Sequence, residues 1–236
     1  MIFYETPIKI EFDDTGLIVN GNEKKYDVRM LYDMIDVLKG PEVYTENKPM
    51  YLMYREIYSN QDIRFDITVI ASRTIGEEYA KTYGHKHPKS PDGKNYPEVY
   101  QILYGDAKFI LQKENSNGSF EVIIISAKKG DILLIPPGFG HVSINISDSE
   151  PLFLSNLVSV LFESDYSEYK QNRGAAAYYT KNGPVQNTNY IIKSITNLSC
   201  FELNKKYGFF SKDLLTEFYS NPEKFQFLNK PSLLFR

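Results

Sequence analysis

At 236 residues the chain is long enough for one large domain with a substantial core. Hydrophobic residues make up 42% and charged residues 24%, a soluble globular balance, and the net charge of −3 argues against a broad basic face for nucleic acid. No apolar run reaches the ~18 residues of a membrane span, and the opening MIFYETPIKIEF has acidic residues and no basic leader, so no membrane partner is expected and the cytoplasm is the expected location.

In chain order, Tyr26–Lys39 places Val28, Leu31, Ile35 and Leu38 at three- and four-residue spacing, which predicts a helix stopped by Gly40-Pro41. The aromatic run Pro49–Tyr58 predicts a strand entering the core. From about Arg64 to Leu161, short β-branched and aromatic runs recur: Phe65–Ile70, Val99–Tyr104, Lys108–Gln112, Phe120–Ile125, Ile132–Ile135, Val142–Ile146 and Leu152–Val160. Turn signals separate them, among them Pro91-Asp92-Gly93, Asn115-Ser116-Asn117-Gly118 and Pro136-Pro137-Gly138. Such punctuation predicts an antiparallel sandwich or barrel. Beyond Tyr166 the pattern weakens: Arg173–Tyr179 is read as a short turn or helix, Tyr190–Ile195 as a strand, and Ser211–Tyr219 as a helix with Ser211 at its N-cap, ending near Asn221-Pro222. Cys200 is the one cysteine, which excludes an internal disulfide framework, and its apolar surroundings predict a buried structural thiol. The expected organisation is a mainly β unit over 1–190, with a barrel core at about 50–165. A C-terminal extension over 191–236 would be packed on it or partly mobile.

The chain has three histidines, all within two short motifs. The first is Gly84-His85-Lys86-His87, followed by Pro97-Glu98-Val99-Tyr100 and Gly105; the second is Gly130, Pro136, Gly138, His141, Asn145. Alternate residues of a strand face one way, so His85 pairs with His87 and Glu98 with Tyr100. The Pro136–Gly140 turn delivers His141 beside them, its prolines fixing φ and its glycines admitting close backbone approach. Three imidazoles and a carboxylate suit a divalent transition metal. Lys86 and Lys89 flank this region and are read as solvated surface residues.

The second motif matches the second signature of the cupin superfamily at every fixed position, and the first signature is matched in part. Tyr79 stands where that signature begins with glycine, and the insertion Pro88–Pro97 lengthens the gap between His87 and Glu98 into a longer hairpin loop. More closely, Thr82–Lys89, Pro97–Gly105 and the segments around Pro136-Pro137, His141, Asn145 and Glu150-Pro151-Leu152 resemble the cupin-type glucose-6-phosphate isomerases of archaea and some bacteria, over roughly Asp27 to Gly183. The resemblance implies a double-stranded β-helix barrel and one divalent metal (Fe2+, Mn2+, Zn2+ or Ni2+) on His85, His87, Glu98 and His141. It implies catalytic roles for Glu98, Tyr100 and His141, with Glu98 as proton shuttle between C1 and C2 of an open-chain sugar. It also implies a sugar-phosphate substrate contacted by Thr68, Thr82, Gly84, Tyr100, Tyr166 and Tyr54, through hydroxyls and a backbone N–H rather than an arginine cluster. Val158 stands where the family has a pocket tyrosine. A homodimer through sheet edges is expected. An Fe(II) oxygenase and a non-catalytic sugar-phosphate-binding cupin remain as alternatives.

Overall fold

The computed structural model describes residues 1–40 and 46–235. Its centre is a sandwich of two sheets. Ten strands build it: β1 (Asp27–Met30), β2 (Pro49–Asn60), β3 (Ile63–Ile70), β4 (Glu98–Tyr104), β5 (Asp106–Glu114), β6 (Phe120–Lys128), β7 (Ile132–Ile135), β8 (Gly140–Asn145), β9 (Leu152–Ser159) and β10 (Ile192–Ser199). One sheet runs β7-β4-β9-β3-β2-β1 and the other β8-β5-β6-β10. The chain crosses between the layers after β4, β6, β7, β8 and β9, the winding of a jelly roll. The mainly β expectation holds, with two hydrogen-bonded layers in place of one closed cylinder.

The strands expected between Pro49 and Val160 are all present, with ends shifted by a few residues. Strand β9 is buried along its whole length because both of its faces are covered. Leu152 and Leu154 face the sandwich interior, whereas Phe153 and Leu157 face a second apolar layer. Ile10 and Leu17, from a meander of short strands within residues 2–23, supply part of that layer. The rest comes from α3 (Leu214–Ser220) and the turns after it, through Leu214, Phe218, Phe225 and Leu228, all 0% exposed. The C-terminal residues therefore cover a sheet face. Strand β10 also extends the second sheet by pairing parallel to β6.

Four local readings are corrected. Tyr26–Lys39 is strand β1 followed by a 3-10 turn over Leu31–Val37, with Leu31, Met34 and Val37 buried and Val28 and Ile35 exposed. A three-residue period is that of a 3-10 helix, in which side chains three apart eclipse. Gly40 is described; Pro41, expected to stop the helix with it, lies outside the described residues. Within Arg173–Tyr179, Ala177 to Tyr179 belong to a strand, Ala177–Thr180, and the helix here is the earlier α1 (Ser167–Gln171). Helix α3 is capped by Asp213, which accepts from Thr216 N at 2.8 Å, rather than by Ser211. Finally, His85 and His87 lie on an extended but irregular segment outside the regular strands. Cys200 is buried at the start of α2 (Cys200–Lys206), as expected.

The 3-10 turn is tied to the sandwich by a buried ion pair. Lys81 Nζ reaches Glu78 Oε1 at 2.5 Å and donates to Val37 O at 2.7 Å, while Lys39 N donates to Glu78 Oε2 at 3.0 Å. Both charged side chains are almost fully buried. Removing one partner of such a pair strands the other charge, so Lys81→Met is expected to lose about 3–5 kcal/mol of unfolding free energy in urea titrations. A loss under about 1 kcal/mol would show that the pair does not hold this turn.

Candidate metal centre

Residues 80–86 run antiparallel beside β8 as an extra, irregular edge of the second sheet. Asn145 N donates to Ala80 O at 2.9 Å, Thr82 N to Ser143 O at 2.9 Å, and His85 and His141 exchange both backbone bonds at 3.2 and 2.9 Å. Direct pairing places the His85 and His141 rings 4.5 Å apart between centroids. One side-chain alternation further, His87 points the same way. Glu98, the first residue of β4, faces them from the other sheet. The long loop returns in register: Lys89 bridges Asn95, and β4 begins at Glu98.

The four side chains converge. Glu98 Oε2 lies 3.2 Å from His141 Nε2, 3.4 Å from His87 Nε2 and 3.8 Å from His85 Nε2. The His85 and His87 Nε2 atoms are 3.1 Å apart, and all four candidate donor atoms lie within 4.8 Å of one another. Glu98 Oε2 is buried with no hydrogen-bond donor, a costly arrangement unless a cation meets it. His87 Nδ1 lies 3.0 Å from Tyr96 O, which fixes the Nδ1–H tautomer and leaves the Nε2 lone pair facing the cluster. Phe162 backs the same ring at 4.5 Å and stacks on Tyr96.

Charge follows from this packing. Burial pushes the His87 pKa from 6.5 down to about 3, and burial also lowers that of His141. Burial would raise the Glu98 pKa, but the imidazoles of His141, His85 and His87 that face it overcome burial and hold the carboxyl well below its ordinary range. At neutral pH the cluster thus offers neutral His87 and His141 beside an ionised Glu98, a donor set that fits a divalent transition metal. Tyr100 OH lies 3.0 Å from His141 Nε2. Burial first, and then the Glu98 charge, hold its pKa well above 10, so it stays a donor.

The pocket in front of the cluster includes Thr68, Thr82, Tyr100, Val158 and Tyr166. Thr82 Oγ1 accepts from Ser143 N at 3.0 Å, which leaves its O–H to donate outward. Tyr54 is a correction: it pairs with Ile67, belongs to the outer apolar layer and is 0% exposed. The tyrosine that β2 contributes to the pocket is Tyr51. Gly84 lies beside the pocket rather than in its wall. Its φ of +86° and the Tyr169 ring, 2.4 Å from where a Cβ would sit, explain the glycine by packing. Arg55, Arg64, Asp66 and Asn156 also line the pocket and were missed. Strand parity was the available signal, since Arg64 and Asp66 share a face with Thr68, and Asn156 shares one with Val158. Lys86 is not free in solvent; it pairs with Glu168 at 2.8 Å.

Tyr169 is wedged between the two ligand segments, because a Cβ on Gly140 would also meet its hydroxyl at 2.8 Å. Gly84→Ala combines left-handed strain with this clash and is expected to cost about 2–4 kcal/mol in urea unfolding; an unchanged midpoint would refute the wedge. Acid sensitivity has a definite sign. In the fold His87 takes a proton only near pH 3, whereas the unfolded chain takes one near 6.5. The unfolded state therefore binds more protons between those values, and stability falls as pH drops below about 6.5. In chelator, the melting temperature of the protein is expected to fall from pH 7.5 to 5, with a shallower slope for His87→Gln. Equal slopes would show that His87 is not the buried neutral group.

The family model described as "Glucose-6-phosphate isomerase (GPI)" matches residues 31–195, which include all four clustered residues. The glucose-6-phosphate isomerase of Thermococcus litoralis is 30% identical over 160 residues, covering 64% of this chain and 78% of its own. That of Pyrococcus furiosus is 28% identical over 162 residues, covering 64% and 79%. Among solved structures, a cupin-2 domain containing protein from Shewanella frigidimarina overlays with a TM-score of 0.31 at 15% identity, covering 44% of this chain and 78% of that one. With a family model matching well over half of its length, the chain belongs to the glucose-6-phosphate isomerase family.

Proposed function

We propose that this protein interconverts glucose 6-phosphate and fructose 6-phosphate with a divalent metal held by His85, His87, Glu98 and His141. The observation that carries the reading is the buried Glu98 Oε2, which faces three imidazole nitrogens without a donor of its own. Fe2+, Mn2+, Zn2+ and Ni2+ all suit these donors, and such an ion would supply Lewis acidity to the sugar carbonyl and its neighbouring hydroxyl.

The chain's own groups have distinct tasks. Glu98 takes the proton at one carbon and returns it to the next, as a carboxylate whose ionised form the site favours. Tyr100 donates its O–H to a sugar oxygen. His141 has one Nε2 lone pair, so ligation would release the Tyr100 hydroxyl from its contact with that nitrogen and leave it available to substrate. Thr68 and Thr82 offer hydroxyls to the phosphate and Tyr166 closes the mouth, while Arg55 and Arg64 line the same wall, paired with Asp27 and Asp66. Val158 offers no hydroxyl, so weaker substrate affinity is expected than a tyrosine there would give.

A cytoplasmic location is part of the same proposal; among the described residues no helix is long and apolar enough to cross a membrane. The edge strand β1, with Tyr26, Val28, Tyr32 and Ile35 exposed nearby, is the face we assign to a homodimer. A monomer by light scattering overturns that assignment.

A coupled assay of fructose 6-phosphate conversion, run with each of the four metals, is expected to show turnover. Glu98→Gln should lower kcat about 10²–10⁴-fold, and His87→Ala should lose activity with its metal. No isomerisation with any metal sinks the proposal. Thermal stabilisation by sugar phosphate without turnover would point to a binding protein, and oxygen consumption on a small organic substrate to an oxygenase.

A further inference from the structure

Glu98 uses its two oxygens differently. Oε2 faces the histidines, while Oε1 accepts from Asn156 Nδ2 at 2.7 Å, both residues being buried. The origin of each side chain explains why this contact matters. Glu98 is the first residue of β4 and follows directly on the ten-residue loop Pro88–Pro97, so its backbone is held on one side only. Asn156 lies in β9, a central strand with neighbours on both sides; it pairs with Tyr100 of β4 and Asp66 of β3. The register puts Val158 opposite Glu98, next to the Val99–Leu157 pair, and valine has no donor. Asn156, diagonal to Glu98, is within the longer reach that diagonal cross-strand neighbours allow. The amide is a fixed reference; the carboxylate is the group being fixed.

We propose that Asn156 is a positioning residue, whose amide captures Glu98 Oε1 so that the carboxylate presents Oε2 alone to the three histidines. Without that hydrogen bond the carboxylate is free to rotate, and either oxygen, or both, turns toward the histidines. The inference rests on the metal-site reading but not on any particular reaction. Removing partners of this kind typically costs about 10–100-fold in metal affinity.

The test uses metal alone. Asn156→Leu keeps the volume and removes the donor; Asn156→Ala guards against poor packing of leucine. Both are expected to bind Co2+ and Zn2+ about 10–100-fold more weakly than wild type. The visible absorption of the Co2+ form should change in band position or intensity, because that spectrum reads the number and kind of ligands. The melting temperature in chelator should stay within a few degrees of wild type. Wild-type affinity and spectrum in both variants would overturn the proposal. So would a loss of affinity matched by a large fall in the metal-free melting temperature, which would mean a merely structural role. A wild-type protein that binds metal but does not isomerise sugar phosphates sinks the proposed reaction and leaves this inference standing. A wild-type protein that binds none of these metals sinks both.

Discussion

The site depends on one antiparallel contact, the reciprocal pair of backbone bonds between His85 and His141. Residues that exchange both bonds stand directly opposite, so two imidazoles separated by more than fifty positions in the chain become neighbours on one face. Everything else is built around that pair. His87 joins by strand parity, and Tyr169 sets how closely the two segments approach by filling the space that Gly84 and Gly140 leave without side chains. Glu98 comes from the opposite sheet, so the cluster sits where the two layers of the sandwich face one another. A displacement of one layer against the other would change the Glu98 distances before it changed those among the histidines.

The electrostatics follow from that placement. A cluster at a sheet edge exposed to water would have left imidazoles that protonate near neutrality and repel a cation. Enclosure instead keeps His87 and His141 neutral, while the imidazoles hold Glu98 ionised. The opposing shifts are produced by one environment: burial acts on His87, His141 and Glu98 alike, and only for the carboxylate do the neighbouring imidazoles overcome it. Tyr100 completes the set as a phenol that keeps its proton because it shares the enclosure with Glu98.

The His/Glu cluster was legible in the sequence, since the parity of His85 with His87 and the turn before His141 are local features, while Glu98 depended on the long loop returning in register. What was not legible depended on register between strands. Tyr54, which the resemblance places in the pocket, is turned outward by β2 opposite Ile67, while Tyr51, Met53 and Arg55 turn inward. Arg64, Asp66 and Asn156 escaped notice because sequence distance separates them from the motifs, although each shares a face with a residue already singled out. The Leu31–Val37 turn differs from the expected α-helix for another reason. Its apolar period is three, and a three- or four-residue pattern read over a longer window resembles an α-helix until burial separates Met34 from Ile35.

The long loop between His87 and Glu98 was the clearest departure from the usual motif, and its bonds explain why the site tolerates it. Asn95 Nδ2 donates to His87 O at 2.6 Å, and Tyr96 O accepts from the other end of the same histidine, at Nδ1. Ser90 N donates to Lys94 O at 2.8 Å, closing the loop on itself before it returns. The inserted residues are therefore bonded to a proposed ligand at both its backbone and its ring. They lengthen the path to Glu98, but they also supply the acceptor that fixes the His87 tautomer and the ring on which Phe162 stacks. A shorter loop would reach Glu98 more directly and would have to find another carbonyl for His87. Loop length and ligand orientation are thus a single structural choice in this chain, with the central strand β9 providing the fixed point, Asn156, against which the returning strand sets its carboxylate.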